Sequence, residues 1–138
     1  MSKSRIVRAV HARKNVAKDP ASESKLVASL RRKFDYAELE ELYANFTSGE
    51  AASDLEARRA IWRAAAKKAG NGLHVSSGVG FKHLDTFELG DGVFIGAQSY
   101  LQGRFDGHCS IGNHVWIGPQ SYFDARDLVI EDYVGWGP

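Results

Sequence analysis

The chain has 138 residues, a hydrophobic share of 43% and a formal net charge of +1. That profile suits one modest globular domain and excludes collagen-like or charge-driven disordered classes. No apolar run approaches the ~20 residues that span a bilayer, and no secretory h-region is visible, so no membrane span is expected. Cys109 is the single cysteine and has no partner for an internal disulfide, which suits a reducing, cytoplasmic setting. A buried, inert thiol is the expected role for it.

The small net charge hides an asymmetry. Residues 1–33 hold ten Lys and Arg against Asp19 and Glu23, a net +8, which leaves −7 for the remainder. Residues 1–24 read as a basic, loosely ordered tail. Such a tail can bind nucleic acid or acidic membrane surfaces, and Arg5, Arg8 and His11 faintly resemble an organellar targeting peptide. No aromatic residue precedes Phe34, so the stacking groups of single-strand binders are missing and nucleic acid is not the expected partner. The expected state of the tail is a solvated or partly helical extension.

Residues 25–70 read as a helical region. Asp19-Pro20 marks a break, after which Ser22 or Ser24 caps a short helix over 25–33. Asp35 is placed to cap a second helix over 36–46, whose apolar stripe is Tyr36, Leu39, Leu42, Tyr43 and Phe46. Gly49 closes that segment. For a third helix, Ser53 and Glu56 form a Ser-x-x-Glu capping box, Lys67 and Lys68 occupy the last turn, and Gly70 stops it. Leu55, Ile61, Trp62, Ala65, Ala66 and Ala69 are its expected packing face.

From residue 71 to 138 the texture changes to short apolar runs broken by Gly and polar turn residues. Leu73, Val75, Val79, Leu84 and Phe87 form an irregular first coil, as terminal repeats commonly do. A period of six then takes over through Leu89, Ile95 and Leu101, then Ile111, Ile117 and Phe123, then Ile130 and Trp136. Four residues after each lead comes a small or apolar partner (Val93, Ser99, Phe105, Val115, Ser121, Val134), with Asp127 the exception. GDGVFIGAQSY (90–100) returns as GNHVWIGPQSY (112–122). Six suits neither a helix nor a half-buried strand, but it suits a triangular coil with one hexad per side and the lead residue inward. The expected inward ladders are Leu89/Ile111/Ile130, Ile95/Ile117/Trp136 and Leu101/Phe123. Residues 107–110 break the count and predict a protruding loop. Asp127, at an inward position, predicts local distortion. The third coil reaches Pro138 short of its third side, with no capping segment visible up to that residue. The expectation is an incomplete β-helix, an N-terminal fragment of a longer protein, or else an open end that another subunit or a swapped element covers.

The segments LGDGVFIGAQSY, IGNHVWIGPQSY and IEDYVGWGP resemble the hexapeptide-repeat acyltransferases. The resemblance covers about residues 73–138 and sits nearest the maltose- and galactoside-type sugar O-acetyltransferases. It implies a mainly β fold with a helical N-terminus, a left-handed parallel β-helix preceded by about three α-helices. It also implies a homotrimer whose active sites lie between neighbours, with acetyl-CoA or another acyl-CoA as co-substrate and a sugar-like small-molecule acceptor. A histidine then serves as general base, because the acceptor hydroxyl or amine must lose a proton as it attacks the thioester.

In that branch the catalytic His follows a repeat of the form I-G-D-x-V-x-(I/L)-(G/A)-P. The best match is IEDYVGWGP, which ends at Pro138, so the resemblance puts the base beyond it. In that branch the His lies about nine residues after the Pro of the repeat; one coil earlier, IGNHVWIGP ends at Pro119 and that place falls on Leu128, which cannot act as a base. Within the chain His108 is the catalytic candidate, in the loop expected over 104–110. Gln120, Asp124 and Arg126 are the candidate substrate-binding residues, one coil before the implied base. Each also has a plain reading as a turn or loop residue.

Two rival functions stay open. The γ-class carbonic anhydrases share the fold and hold zinc through histidines from neighbouring subunits, and His83, His108 and His114 are available. The six-residue spacing of His108 and His114 departs from that family's close pair, so no metal is expected. A non-catalytic β-helix that serves as an assembly subunit is the other. Gly78-Val-Gly80 lacks the third glycine of a dinucleotide fingerprint, and no P-loop occurs.

Overall fold

The computed structural model describes residues 16–137; the segment bearing Arg5, Arg8 and His11, and Pro138, lie outside the described residues. Three helices precede an all-parallel β solenoid, so the fold is mainly β with a helical N-terminus. Helix α1 (Ala21–Lys33) begins one turn earlier than expected, behind Pro20 rather than Ser22 or Ser24. The Pro20 carbonyl accepts from the amides of Glu23 (3.0 Å) and Ser24 (3.2 Å), and no side chain caps this end. Helix α2 (Tyr36–Tyr43) carries the expected cap. The Asp35 carboxylate accepts from the Glu38 amide at 2.8 Å, and the Glu38 carboxylate accepts from the Asp35 amide at 2.9 Å. The helix stops before Phe46, in a turn over 44–46.

Helix α3 (Ala52–Ala65) corrects the expected box. Ser53 and Glu56 lie inside the helix, and the Asp54 carboxylate instead accepts from the Ala51 amide at 3.2 Å. Lys67 and Lys68 are not its last turn either. The Lys67 amide donates to the Phe87 carbonyl (3.0 Å) and the Gly70 amide to that of Leu89 (2.9 Å). Ladder bonds to the solenoid thus replace a further turn of helix. The carbonyls left open at the end of α3 are met from α1, where the Arg31 guanidinium donates to Arg63, Ala64 and Ala66 at 3.0–3.2 Å. Glu23 bridges the same two helices through Arg59 (2.7 Å) and Arg63 (2.6 Å).

The first solenoid turn comprises β1 (Lys68–Ala69), β2 (His74–Val75) and β3 (Gly80–Lys82). The second comprises β4 (Phe87–Leu89), β5 (Phe94–Ile95) and β6 (Tyr100–Gln102). The third comprises β7 (His108–Ile111), β8 (Trp116–Ile117) and β9 (Tyr122–Asp124); β10 (Asp127–Ile130) and β11 (Gly135–Trp136) follow. Like sides stack into three parallel sheets, β1-β4-β7-β10, β2-β5-β8-β11 and β3-β6-β9. The inward ladders are in register as the hexads predict. Ala69, Leu89, Ile111 and Ile130 align on the first face, and Val75, Ile95, Ile117 and Trp136 on the second. Phe81, Leu101 and Phe123 align on the third. The first-coil residues Leu73, Val75, Val79, Leu84 and Phe87 are all buried. Each fully buried aliphatic side chain contributes about 1.5–3 kcal/mol, so the ladders are the main cohesive element.

Three local expectations are corrected. Phe105 is 83% exposed, not an inward partner, because Cys109 takes the inward place on β7. His108, Cys109 and Ser110 belong to that strand, so only residues 103–107 bulge. Asp127 points outward: β10 buries Ile130 and half-buries Leu128 instead, and the extra Val129 restores the phase. Trp136 stays 44% exposed at the end of its ladder.

The helices close the N-terminal end of the prism. Trp62 packs edge-on against Phe81, with ring centres 5.4 Å apart, and Tyr43 lies 4.8 Å from the same ring. The Tyr43 hydroxyl donates to the Val79 carbonyl at 2.6 Å, and the Leu84 amide donates to the Tyr36 hydroxyl at 2.7 Å. Burial pushes the Tyr43 phenol up to about 12. Burial, with a hydrogen bond to Glu40, raises that of Tyr36 as well.

Candidate functional site

The three corners of the prism are not alike. At the first, residues 70–73, 90–93, 112–115 and 131–134 repeat one turn with a left-handed residue in third place: Gly72, Gly92, His114 and Tyr133. Asx side chains lock it from turn to turn. Asp91 accepts from the Asn71 amide (2.7 Å), Asn113 from Asp91 (2.8 Å) and Asp132 from Asn113 (2.7 Å). Asp19 adds a rung above, its amide donating to Asn71 Oδ1 at 3.1 Å. The sequence steps along this ladder are 20, 22 and 19 residues. The second corner repeats a turn over 76–79, 96–99 and 118–121, with Gly78, Gln98 and Gln120 left-handed and Val79, Ser99 and Ser121 inward.

The third corner takes up the irregularity. It is a left-handed His83 and a 3₁₀ turn (Leu84–Thr86) in the first coil, residues 103–107 in the next, and Ala125 and Arg126 in the last. Ionisable groups gather along it. His108 Nε2 lies 3.0 Å from the Glu88 carboxylate, both side chains being partly exposed. Arg104 pairs with Asp124 at 2.7 Å, while Arg126 lies 3.9 Å from Asp106 and 3.6 Å from Asp127. The main chains interlock too, since the His108 amide donates to the Arg126 carbonyl at 2.8 Å. Cys109 sits directly beneath, its Sγ 3.6 Å from the Ala125 carbonyl. Burial, and then the charge of Asp127, hold its thiol above the ordinary range. It is no nucleophile there.

Three of the four sequence candidates, His108, Asp124 and Arg126, therefore share one edge. Gln120 does not; it occupies the second corner, with Nε2 donating to Gln98 Oε1 at 3.2 Å. Its role there is a turn rung. The residue missed from sequence is Glu88, which reaches His108 from the preceding coil; the twenty-odd-residue echo was the signal that placed them on adjacent turns. Beside the dyad the first face carries an open depression of about 330 Å³, lined by Lys68, Glu88, Ser110 and the backbone of Gly70, Gly90 and Gly112. A Cβ on Gly90 would fall 2.5 Å from Asn113 Oδ1 and 2.8 Å from its amide, so this floor stays flat.

His83 and His108 lie along the third corner on successive turns, whereas His114 lies on the first. Among the described residues no group of three or more His, Cys, Asp or Glu side chains is placed to hold a metal ion. A donor set for zinc is thus not assembled within the described part of one chain. The arrangement at His108 can instead hold and move a proton. With Nε2–H directed at the Glu88 carboxylate, the Nδ1 lone pair is left to accept one. No helix among the described residues is long and apolar enough to cross a membrane. Comparisons with protein-family models, with curated proteins and with solved structures find no match.

Proposed function

We propose that this chain is an acyl-CoA-dependent transferase that moves an acetyl or short acyl group to a hydroxyl or amine of a sugar-like acceptor. The observation that carries the reading is an imidazole oriented by a carboxylate, His108 with Glu88, on the outer edge of a hexad-built solenoid. Such a prism winds left-handed and assembles as a homotrimer in the proteins that the repeats resemble, and both features belong to the proposal. In the reaction, His108 Nδ1 accepts the proton of the acceptor as its oxygen or nitrogen attacks the thioester carbonyl carbon. The C–S bond then breaks, and the departing thiolate takes the proton back. Glu88 holds the ring in place through its contact with Nε2. The depression beside it, with Lys68 and Ser110, accommodates a polar acceptor.

The test is a calorimetric titration with acetyl-CoA, with mass determination and a transfer assay against sugar acceptors. Saturable binding is expected, and His108→Ala should lower turnover by about a hundredfold or more with acetyl-CoA affinity retained. Absence of saturable binding sinks the transferase reading. Undiminished transfer by His108→Ala removes this residue from the role of base. A non-catalytic assembly subunit is the second reading. It is favoured by the stacked rings along the outer second face, His74 on Phe94 (4.7 Å) and Phe94 on Trp116 (6.0 Å). It predicts a stable oligomer without acyl-CoA affinity.

A further inference from the structure

Arg58, on α3, is completely buried and has no carboxylate partner among the described residues. Its Nε donates to the Val75 carbonyl (2.9 Å) and its Nη1 to those of Phe46 (3.1 Å) and Gly49 (2.8 Å). These bonds pin the 46–49 segment to the first solenoid turn. Nη2 is buried with no protein acceptor in hydrogen-bond range among the described residues. A desolvated guanidinium with two unspent N–H groups is costly, and a carbonyl cage offsets only part of its charge.

Over this residue lies an open depression of about 260 Å³, lined by Glu50, Leu55, Arg58, His74, Ser76, Ser77 and Ala97. Ser76 and Ser77 stand at the second corner, and the His74 ring is fixed by stacking on Phe94. We propose that this depression is a binding site for a small oxyanion of the phosphate or carboxylate type. Arg58 Nη2 supplies the charge, and the Ser76 and Ser77 hydroxyls donate to the remaining oxygens. Because Nη2 lies beneath the floor, contact requires one lining side chain to turn aside. Glu50 is exposed and makes no side-chain hydrogen bond among the described residues, and Leu55 is half-buried and apolar, so either can do so. Glu50 also sets the affinity, since its carboxylate competes with the ion for the same charge.

The site lies at the helix–solenoid junction, away from His108, and does not depend on the transferase reading. The test is titration of the whole chain with inorganic phosphate and, separately, acetate, followed by calorimetry and thermal unfolding. One saturable phosphate site is expected, weakened about tenfold in Ser76→Ala/Ser77→Ala and tightened roughly threefold in Glu50→Gln. Acetate binding as tight as phosphate would assign the site to carboxylates, and weaker acetate binding to phosphate-type ions. Arg58→Met should abolish binding; because that variant also frees the 46–49 segment, the serine and glutamate variants carry the decision. No saturable binding of either ion, or binding indifferent to those variants, overturns the proposal.

Discussion

The first two corners of the prism and the third are built on different terms. At the regular corners every turn has the same length, the Asx side chains and the inward Ser99 bond the adjacent rung, and glycines sit where a Cβ would strike backbone. At the third corner the connections change length from turn to turn, and the charged groups there remain partly exposed. Where side chains are consumed in ladder bonds, little is left for chemistry. Where the ladder is interrupted, ionisable groups keep spare lone pairs and access to solvent. This difference between the corners is why His108, Asp124 and Arg126 share an edge and why Gln120, a corner-two residue, is occupied elsewhere.

The contrast can be broken most severely at Ile117, which is fully buried between Ile95 and Trp136. Ile117→Asp places an unpaired carboxylate there at a cost of several kcal/mol. Loss of the cooperative unfolding transition is expected, and a folded variant of unchanged stability would disprove the inward ladder. Next comes Gly96→Ala at the second corner. Its Cβ would lie 2.5 Å from the Pro119 nitrogen and 2.7 Å from the Gly118 carbonyl carbon. Backbone cannot yield as a side chain can, so a loss of about 3 kcal/mol is expected in urea unfolding.

The junction of the helices with the second corner has its own signature in alkali. An unfolded tyrosine ionises near 10, whereas Tyr43 keeps its proton until about 12. Between these values the folded state binds more protons than the unfolded one, so stability falls as pH rises, by about 2 kcal/mol at the upper end. Tyr36 shifts in the same direction and adds to the fall. Denaturant midpoints measured across pH 9–12 should decline accordingly, and Tyr43→Phe should flatten the curve; a midpoint independent of pH would contradict the burial of both phenols. The smallest effect belongs to the third corner. Phe105→Ser, at an 83% exposed position, should change stability by less than about 0.5 kcal/mol. A larger loss would show that this bulge contributes to packing as the other corners do.

The hexad leads were legible because an inward residue must recur once per side, whatever its neighbours do. The same count misplaced Phe105 and Asp127, since a period of six cannot tell a longer corner from a longer strand. Both alternatives add residues, and only the parallel register of β7 and β10 on their partners decides between them. Asp35 was readable as a cap because its bond to Glu38 is local. The end of α3 was not, since Arg31, thirty-odd residues away, and the strand β4 compete for that backbone.

Composition and periodicity alone therefore determined the class of fold, the division into helices and coils, and the inward ladders, for these rest on short-range patterns of burial. The tertiary structure alone decided that His108 stands on a strand and meets Glu88, and that Gln120 faces another corner. It also decided that Arg58 is buried without a carboxylate partner among the described residues. Each of these depends on which turns lie side by side, and stacking of parallel turns brings together residues that chain order keeps about a full coil or more apart.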